Sequence, residues 1–425
     1  MIDKKITTIP RFRTISSNNA RTTLKKYFTI WGPGMMVMLA DTDAGCLITA
    51  AQSGVSFGYA MLLPQLLLIP ILYMVQEITL RLGIVSGLGH GALIRDYFGK
   101  GWAYLSAITL LIAVIGALVT EFIGIAGVGE LFGISKWLTV PIGCLLLVGV
   151  AFSGSYRRVE KIGIVVGLAE LLFLGALFFI HPTAGSLLQG ITTLPFNDHS
   201  FVYLTAANIG AVIMPWMIFY QQGAVIDRHM TLDHLKRERR DTAIGTFITQ
   251  GVMILYIVVF AAASGGQNKV LTSIPDLANV LYDHLGINVT NYLLGASILG
   301  GSLVAAIVVA LAGTWGISEV LNWPHTLNEP LSKENIGFYG CYALSHIIGA
   351  ALVLINVGLV SLAVSVEVIN ALLLPIVLGF LLALEHKVLP DKYRMHGWYK
   401  WLVSILSIIV MLFGVYVIGP IFNWW

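Results

Sequence analysis

The sequence predicts an all-α integral membrane protein with about eleven transmembrane helices, and two observations support this class. First, 57% of the 425 residues are hydrophobic and only 11% are charged, whereas a soluble protein carries about 25% charged residues to solvate its surface. Second, apolar runs near the roughly 20 residues needed to cross a bilayer recur from Trp31 to the C-terminus. The composition therefore excludes an ordinary soluble enzyme.

The individual spans follow from cutting the apolar stretches at charge clusters and at Pro, Gly or Asn turns. Residues 1–27 are basic and polar and lack the apolar core of a signal peptide, so they predict a cytosolic tail. The predicted spans then lie near 31–55, 58–81, 102–125, 137–153, 162–181, 201–226, 243–264, 291–320, 337–359, 361–385 and 399–421.

The placement of Lys and Arg predicts the orientation of these spans. Positive residues concentrate in cytosolic loops, and an N-terminus inside the cell puts 23 of the 25 Lys and Arg residues on the cytosolic side. Only Lys136 and Lys269 fall outside. We therefore expect a multi-pass protein of the cell (inner) membrane, with a cytosolic N-terminus and an external C-terminus.

Net charge and cysteine usage restrict which partners are expected. A net charge of +3 with dispersed basic residues indicates no nucleic-acid partner. The three cysteines form no CxxC pair, so neither a disulfide framework nor a zinc cluster is expected. The lipid bilayer is the expected surrounding, and the oligomeric state stays open.

Two spans break the rules of a membrane helix in corresponding ways. The first carries Asp41, Asp43 and Gly45 near mid-span, and the sixth carries Met214-Pro215, where the proline removes a helix hydrogen bond. Breaks five spans apart are expected of inverted repeats, whose substrate lies between the discontinuous helices. The sequence thus predicts one repeat over 28–200, a second over 201–386, and an eleventh helix within 387–425.

The buried carboxylates point to a cation as cargo. A dication in a low-dielectric site needs anionic or dipolar oxygens, and carboxylates lie within or at the ends of several spans. On a regular helix the side chains at 41 and 43 point about 200° apart. We expect Asp43 to face the site and Asp41, with Gly45, to lie in the access path or behind the ligands. The other acidic residues of the spans are Glu121, Glu170, Glu319 and Glu367.

At these residues the chain resembles the natural-resistance-associated macrophage protein (Nramp) family of divalent metal transporters. The family's first helix carries GPG, DPGN and an AGxxFGY-like end, and its sixth carries AxxMPHN. RLGVVTG follows its second helix, and AEVIG lies in its third. In the same order, the matching segments here are Gly32–Gly34, Asp43–Cys46, Ser53–Tyr59, Ala211–Met217, Arg81–Gly87 and Glu121–Gly124.

The resemblance implies a leucine-transporter-like fold of two inverted five-helix repeats plus one helix. It also implies metal ligands at Asp43, the Ala211 carbonyl and the Met214 thioether, while Cys46 stands in the place of the family's asparagine. The two family histidines are replaced by Trp216 and Gln221. Because these substitutions remove proton-carrying groups, Glu121 remains as a candidate on a proton path and transport without proton coupling becomes a credible alternative.

The identity of the metal stays open between two choices. Sulfur ligands at Met214 and Cys46 favour Mn²⁺ or Fe²⁺. Additional carboxylates, Asp41 and Glu367, favour a harder site that suits Mg²⁺. Glu367 stands at about the place of a tenth-helix glutamine that is a mobile ligand in the family. No cofactor is expected, because the divalent metal ion is itself the cargo.

Two other classes compete with a metal transporter. An amino-acid transporter of the same architecture would bind a substrate carboxylate at the first break, which Asp41 and Asp43 would repel. An intramembrane protease would need two aspartates on facing helices or a serine and histidine pair, and the sequence offers neither arrangement. A transporter that works by alternating access, and not an enzyme, is the preferred interpretation.

Overall fold

The computed structural model of the chain describes residues 32–152, 155–265, 270–356 and 358–421. Within these ranges all regular structure is helical, and no β-strand occurs. The all-α class is therefore confirmed. The predicted cytosolic tail, residues 1–27, lies outside the described residues.

The helices are numbered here in chain order. Four short 3₁₀ helices accompany them, at Gly58–Met61, Leu168–Phe178, Leu232–His234 and Asp391–Tyr393. The α-helices are α1 (Pro33–Asp41), α2 (Ala44–Phe57), α3 (Leu62–Ser86), α4 (His90–Phe98), α5 (Lys100–Leu131), α6 (Lys136–Ala151), α7 (Tyr156–Gly167), α8 (Ala184–Thr192), α9 (His199–Val212), α10 (Pro215–Asp227), α11 (Leu235–Ser264), α12 (Ile274–Leu285), α13 (Ile287–Leu321), α14 (Ile336–Ile355), α15 (Leu359–Val388), α16 (Gly397–Tyr416) and α17 (Ile418–Ile421).

Each predicted span coincides with helix in the described residues. The number of helices that meet a length and composition criterion for crossing a membrane is smaller than the eleven predicted spans. In that part of the chain, nine helical stretches are long and apolar enough to cross a membrane. One of them, Ala44–Ser86, is 43 residues long and joins half of the first predicted span to the second. Lys136–Ala151 has only 16 residues and is shorter than the others. The multi-pass class follows, and the count of eleven stays a prediction.

Three short helices were not expected from the apolar pattern, because none is long enough to span a bilayer. They are α4, α8 and α12. For α12 a local signal exists: Ser273 accepts a hydrogen bond from the backbone N–H of Asp276, and the Asp276 side chain accepts one from the N–H of Ser273. This capping box is readable from sequence.

The first broken helix ends and begins again at an aspartate. Helix α1 stops at Asp41, Thr42 has a non-helical backbone, and Asp43 caps α2. The Asp43 carboxylate accepts a hydrogen bond from the backbone N–H of Cys46 at 2.7 Å, which satisfies a donor of the new helix start. The break is therefore stabilised by a normal helix cap placed inside a span.

The second broken helix is interrupted by a proline. Helix α9 ends at Val212, Met214 is extended, and Pro215 is the first residue of α10. In a continuous helix the N–H of residue 215 would donate to the carbonyl of Ala211, four residues earlier. Proline has no N–H, so this carbonyl lacks its usual donor.

Neighbouring helices enclose both breaks. Helix α1 and helix α2 pack against α11, helix α9 packs against α15, and helix α10 packs against α3 and α13. Glycines allow the closest approaches: a Cβ added to Gly301 of α13 would meet the Thr42 carbonyl oxygen, and one added to Gly210 would meet the main chain of Glu367. Small residues at such crossings are typical of packed membrane helices.

Candidate functional site

The two broken helices meet directly through Cys46 and Ala211. The Cys46 thiol donates to the Ala211 carbonyl oxygen at 3.0 Å, and both residues are fully buried. The carbonyl is free to accept because Pro215 offers it no N–H. The first turn of α2 and the last turn of α9 thus share one buried contact surface.

Asp43 and Asp41 place unpartnered carboxylate oxygens at this surface. Asp43 is 0% exposed, and its Oδ2 has no hydrogen-bond partner. Asp41 is 1% exposed, and both of its carboxylate oxygens lack a partner. Because a buried charge without a partner is expensive, these oxygens indicate a place where a cation or a proton belongs.

Glu367 of α15 lies between the two breaks. Its Oε1 faces Gly45, where any added Cβ would collide with it, and its main chain packs on Gly210. Oε2 accepts a hydrogen bond from Asn370 at 3.0 Å, while Oε1 has no partner. Gly45 therefore leaves room for a third carboxylate beside the start of α2.

Glu121 of α5 supports the same helix start from another side. Its Oε2 accepts a hydrogen bond from the backbone N–H of Ala44 at 3.2 Å, and the residue is fully buried. Carboxylates near a helix N-terminus are stabilised by its free N–H groups. Glu121 thus lies directly behind Asp43.

The residues of the second break divide into two groups. Met214 and Trp216 are buried at the break, and the Trp216 indole N–H points to the Met214 sulfur at 3.2 Å. Gln221 lies further along α10 and donates to the Thr242 hydroxyl at 3.2 Å. Thr242 packs on Gly34 at the start of α1, so Gln221 belongs to that end of the bundle and not to the break.

Sequence reasoning missed a contact at Thr42. The hydroxyl of this residue hydrogen bonds with the carboxyl group of Glu170, which lies on the 3₁₀ helix Leu168–Phe178 and is 1% exposed. The acidic residue in an apolar span was visible in the sequence, but nothing in the sequence indicated that its partner is the residue between α1 and α2.

Basic side chains do not neutralise these carboxylates. Among the described residues, the ion pairs involve other acidic groups and none of Asp41, Asp43, Glu121, Glu170 or Glu367. In the same described part, no three His, Cys, Asp or Glu side chains converge tightly enough to form a ready metal centre. A cation held here would therefore also take backbone carbonyl, thioether or water ligands.

A cavity opens at the far ends of the helices that carry the site. Its volume is about 390 Å³. Between it and the break, Asn208 of α9 donates to the Ser53 hydroxyl of α2 at 2.7 Å. The cavity thus lies on the same helices as the break and is separated from it by this polar contact. Its lining includes Gln52, Ser56, His199, Tyr203, Ser361 and Ser365.

Solved structures share this arrangement of helices. A manganese transporter of Eremococcus coleocola superposes with a TM-score of 0.75 at 18% identity, covering 96% of this chain and 89% of that one. A Na⁺-coupled sialic acid symporter superposes with a TM-score of 0.60 at 12% identity, covering 92% and 89%. Together with the two broken helices, these similarities identify the leucine-transporter-like fold.

Sequence relatives narrow the class to one family. A profile of the family described as natural resistance-associated macrophage protein-like matches residues 34–419, so the chain belongs to the Nramp family. It is 28% identical to the divalent metal cation transporter MntH of Vibrio campbellii over 310 residues, 70% of this chain and 72% of that protein. It is 25% identical to the MntH of Mycobacterium tuberculosis, over 72% and 74% of the two chains. The resemblance to a family of transporters, and not of enzymes, is confirmed.

Proposed function

We propose that this protein is a secondary transporter of divalent metal cations, which works by alternating access around a site between α1–α2 and α9–α10. The observation that carries the proposal is the group of buried, unpaired carboxylate oxygens at the first break and on the helix beside it. The sequence relatives named above are divalent metal cation transporters, which agrees with the proposal.

Charge is the physical reason for a dication. A buried carboxylate is stabilised by an opposite charge close by, and the described ion pairs supply none to Asp41, Asp43 or Glu367. A dication between the breaks would neutralise two such charges at once. An amino-acid substrate would instead bring a third negative group to the site, so we do not favour that class.

The proposed ligands are Asp43, Cys46, the Ala211 carbonyl and Met214. Asp43 and the Cys46–Ala211 pair lie at facing helix ends. Met214 lies at the second break, where its sulfur accepts a hydrogen bond from the Trp216 indole N–H at 3.2 Å. Glu367 is placed to join from α15 across Gly45.

The proposed metal is a transition-metal dication of the Mn²⁺/Fe²⁺ class, since two of the four ligands are sulfur atoms. Mg²⁺ without proton coupling is the second candidate, and a specific observation favours it. Glu367 places an extra unpartnered carboxylate oxygen beside Gly45, and the free oxygens of Asp41 lie close enough to interact with it electrostatically. An oxygen-rich site that keeps some water suits Mg²⁺.

We infer further that the protein lies in the cell membrane with its N-terminus in the cytosol. The placement of Lys and Arg supports this orientation. In it, the cavity at the ends of α2, α9 and α15 faces the outside and is the entry route for the cation.

The test is dication uptake into proteoliposomes. Protein reconstituted with Mn²⁺ or Mg²⁺ outside, together with an internal pH dye, should carry at least one of the two ions inward, and Asp43→Ala should abolish that flux because the site loses its central carboxylate. The two ions measured side by side decide the metal, and the dye decides whether protons move with it.

The matched control is Asp391→Asn. Asp391 is an exposed carboxylate that pairs with Arg394 at 2.9 Å, far along the chain from the breaks. It should keep the flux of the unmodified protein. Liposomes without dication flux, or full flux in Asp43→Ala, would contradict the proposed function.

A further inference from the structure

Helices α2 and α9 are joined by two polar contacts at different depths. The inner contact joins the Cys46 thiol to the Ala211 carbonyl at the breaks. The outer contact joins Ser53 to Asn208, between the cavity and the breaks. We call the stretch of both helices from one contact to the other the α2–α9 seam. A cation that moves along these helices from the cavity to the breaks crosses this seam.

Asn208 carries a buried oxygen that has no donor. Its amide nitrogen donates to the Ser53 hydroxyl oxygen and to the Leu204 carbonyl oxygen, each at 2.7 Å. Because a carbonyl oxygen cannot donate, the atom that faces Leu204 is the nitrogen, and the amide cannot be turned the other way. The amide oxygen, Oδ1, therefore keeps its position. It has no hydrogen-bond partner, and the residue is 1% exposed.

Thr49 of α2 supplies a second such oxygen. The residue is 0% exposed, and its hydroxyl has no hydrogen-bond partner. Around the helix axis Thr49 is about 60° from Cys46 and about 40° from Ser53, and both of these residues contact α9. Thr49 thus lies on the face of α2 that is turned to α9.

The two residues also lie at the same depth. Thr49 follows Cys46 by three residues on α2, which runs from the breaks toward the cavity, and Asn208 precedes Ala211 by three residues on α9, which runs the opposite way. Three residues correspond to about 4.5 Å along a helix. The seam therefore holds one unpartnered buried oxygen from each helix at one level.

These oxygens suit a weakly held dication. Hard and borderline cations accept amide and hydroxyl oxygens together with water, and buried oxygens without a partner are costly unless a ligand satisfies them. Residues 46–53 and 208–211 contain no acid, whereas Asp43 and Glu367 lie deeper, at the start of α2. An ion in the seam would be bound by neutral dipoles and attracted inward by these carboxylates.

We propose that the α2–α9 seam is an outer cation site, in which Asn208 Oδ1 and the Thr49 hydroxyl bind a partly hydrated dication on its way from the cavity to the breaks. The inference depends on the proposed function. Sites on an ion pathway have to be weak enough for the ion to leave, and two neutral oxygens meet that requirement better than carboxylates would.

The first experiment separates a site on the pathway from a ligand at the breaks. Thr49→Val and Asn208→Leu should each lower kcat/KM for Mn²⁺ or Mg²⁺ uptake into proteoliposomes about fivefold, the equivalent of one lost neutral contact. The equilibrium Kd of the ion, from calorimetry on the purified protein, should not change because the ligands at the breaks remain. The same titration counts the binding-competent molecules and corrects the rates for misfolded protein.

Two further variants control this measurement. Thr49→Ser keeps the hydroxyl and should keep the kcat/KM of the unmodified protein. Thr205→Val makes the same change as Thr49→Val on α9, at a buried hydroxyl that donates to the Met61 sulfur at 3.8 Å, and it should also leave kcat/KM unchanged.

A second experiment tests directly whether one ion can contact both residues. A protein with Thr49→Cys and Asn208→Cys together should bind one more Cd²⁺ in equilibrium dialysis than the unmodified protein, because two thiolates at one level can share a soft ion. Neither single substitution should add a bound Cd²⁺.

The outcomes separate this inference from the proposed function. Unchanged kcat/KM in both Thr49→Val and Asn208→Leu would mean that the seam oxygens hold only water, and no additional Cd²⁺ in the double variant would mean that they cannot share an ion. A raised Kd would place the two residues at the central site instead. Each of these results overturns the outer site, whereas an unmodified protein that carries no dication overturns the proposed function itself.

Discussion

The Ala211 carbonyl, a proposed ligand, lacks its helical donor because residue 215 is a proline. We expect Pro215→Ala to weaken the cation site, since the new N–H can donate to this carbonyl and extend α9 through the break. The loss should be about 1 kcal/mol, the net value of one hydrogen bond, or roughly fivefold in the apparent affinity for the ion. The measurement is the KM of dication uptake in proteoliposomes.

Pro70→Ala provides the matched comparison for this change. Pro70 also lies inside an α-helix, α3, but away from the breaks. Its KM for the ion should match that of the unmodified protein. Equal KM values in both proline variants would mean that the Ala211 carbonyl does not bind the ion.

A substitution at Cys46 can show whether this residue binds the ion or only packs against its neighbours. Cys46→Ser keeps a donor for the Ala211 carbonyl but replaces the sulfur with a harder oxygen. If the sulfur binds the ion, affinity for Mn²⁺ relative to Mg²⁺ should fall by about 1 kcal/mol, or roughly fivefold. Competition between the two ions for uptake measures this ratio, and an unchanged ratio would leave Cys46 a role in packing alone.

Some residues of the candidate site could be predicted from the sequence, whereas their side-chain contacts could not. Asp43 and the break at Pro215 stood out because a carboxylate or a proline inside an apolar span breaks a local rule that is visible in the sequence. The proposed ligand roles of Ala211 and Met214 came from the resemblance to the Nramp family. The bond between Glu170 and Thr42 was not identified, because 128 residues separate the partners and their contact depends on how the spans pack. The indole N–H of Trp216 on the Met214 sulfur depends in the same way on side-chain placement.

At the scale of elements, the contact between α9 and α15 depends on the absence of a side chain at Gly210. A Cβ there would meet the Glu367 carbonyl oxygen and lie 2.7 Å from the Ala371 nitrogen. These are main-chain atoms and cannot rotate away, so we expect Gly210→Ala to destabilise the protein by about 1–3 kcal/mol. The unfolding midpoint in detergent measures the effect.

Gly251→Ala is the control for that substitution. Gly251 lies inside helix α11, and a Cβ there would meet no atom within 4 Å. Alanine is the better helix former, so this variant should be as stable as the unmodified protein or more so. A Gly210→Ala protein with an unchanged midpoint would show that α9 and α15 can separate at no cost.

The helices were predictable where the length of an apolar segment indicated a membrane span. The long helices coincide with the predicted spans because a bilayer imposes a minimum length on an apolar segment. Helices α4 and α8 are short, and no span-length rule identifies them. The 3₁₀ form of Leu168–Phe178 was also missed, since apolar periodicity does not separate it from an α-helix over so short a stretch.

The whole molecule is expected to expose its cavity on only one side of the membrane. Ser361 lines the cavity and is exposed. In a protein with Cys144 and Cys341 replaced by serine, Ser361→Cys should react with a membrane-impermeant thiol reagent added to intact cells. Lys236→Cys, exposed at the start of α11 on the basic side, should react only after permeabilisation. The opposite pattern would reverse the proposed orientation.

The hydrogen bond between the Cys46 thiol and the Ala211 carbonyl has a consequence for discrimination between ions. Two proposed ligands satisfy each other at 3.0 Å, so any ion that uses them must first replace this hydrogen bond, in which the thiol is a weak donor. A monovalent ion, with half the charge to offer the same carboxylates, gains less from the exchange. Selection against abundant alkali-metal ions can thus begin with this internal competition, before coordination number or ionic radius has any effect.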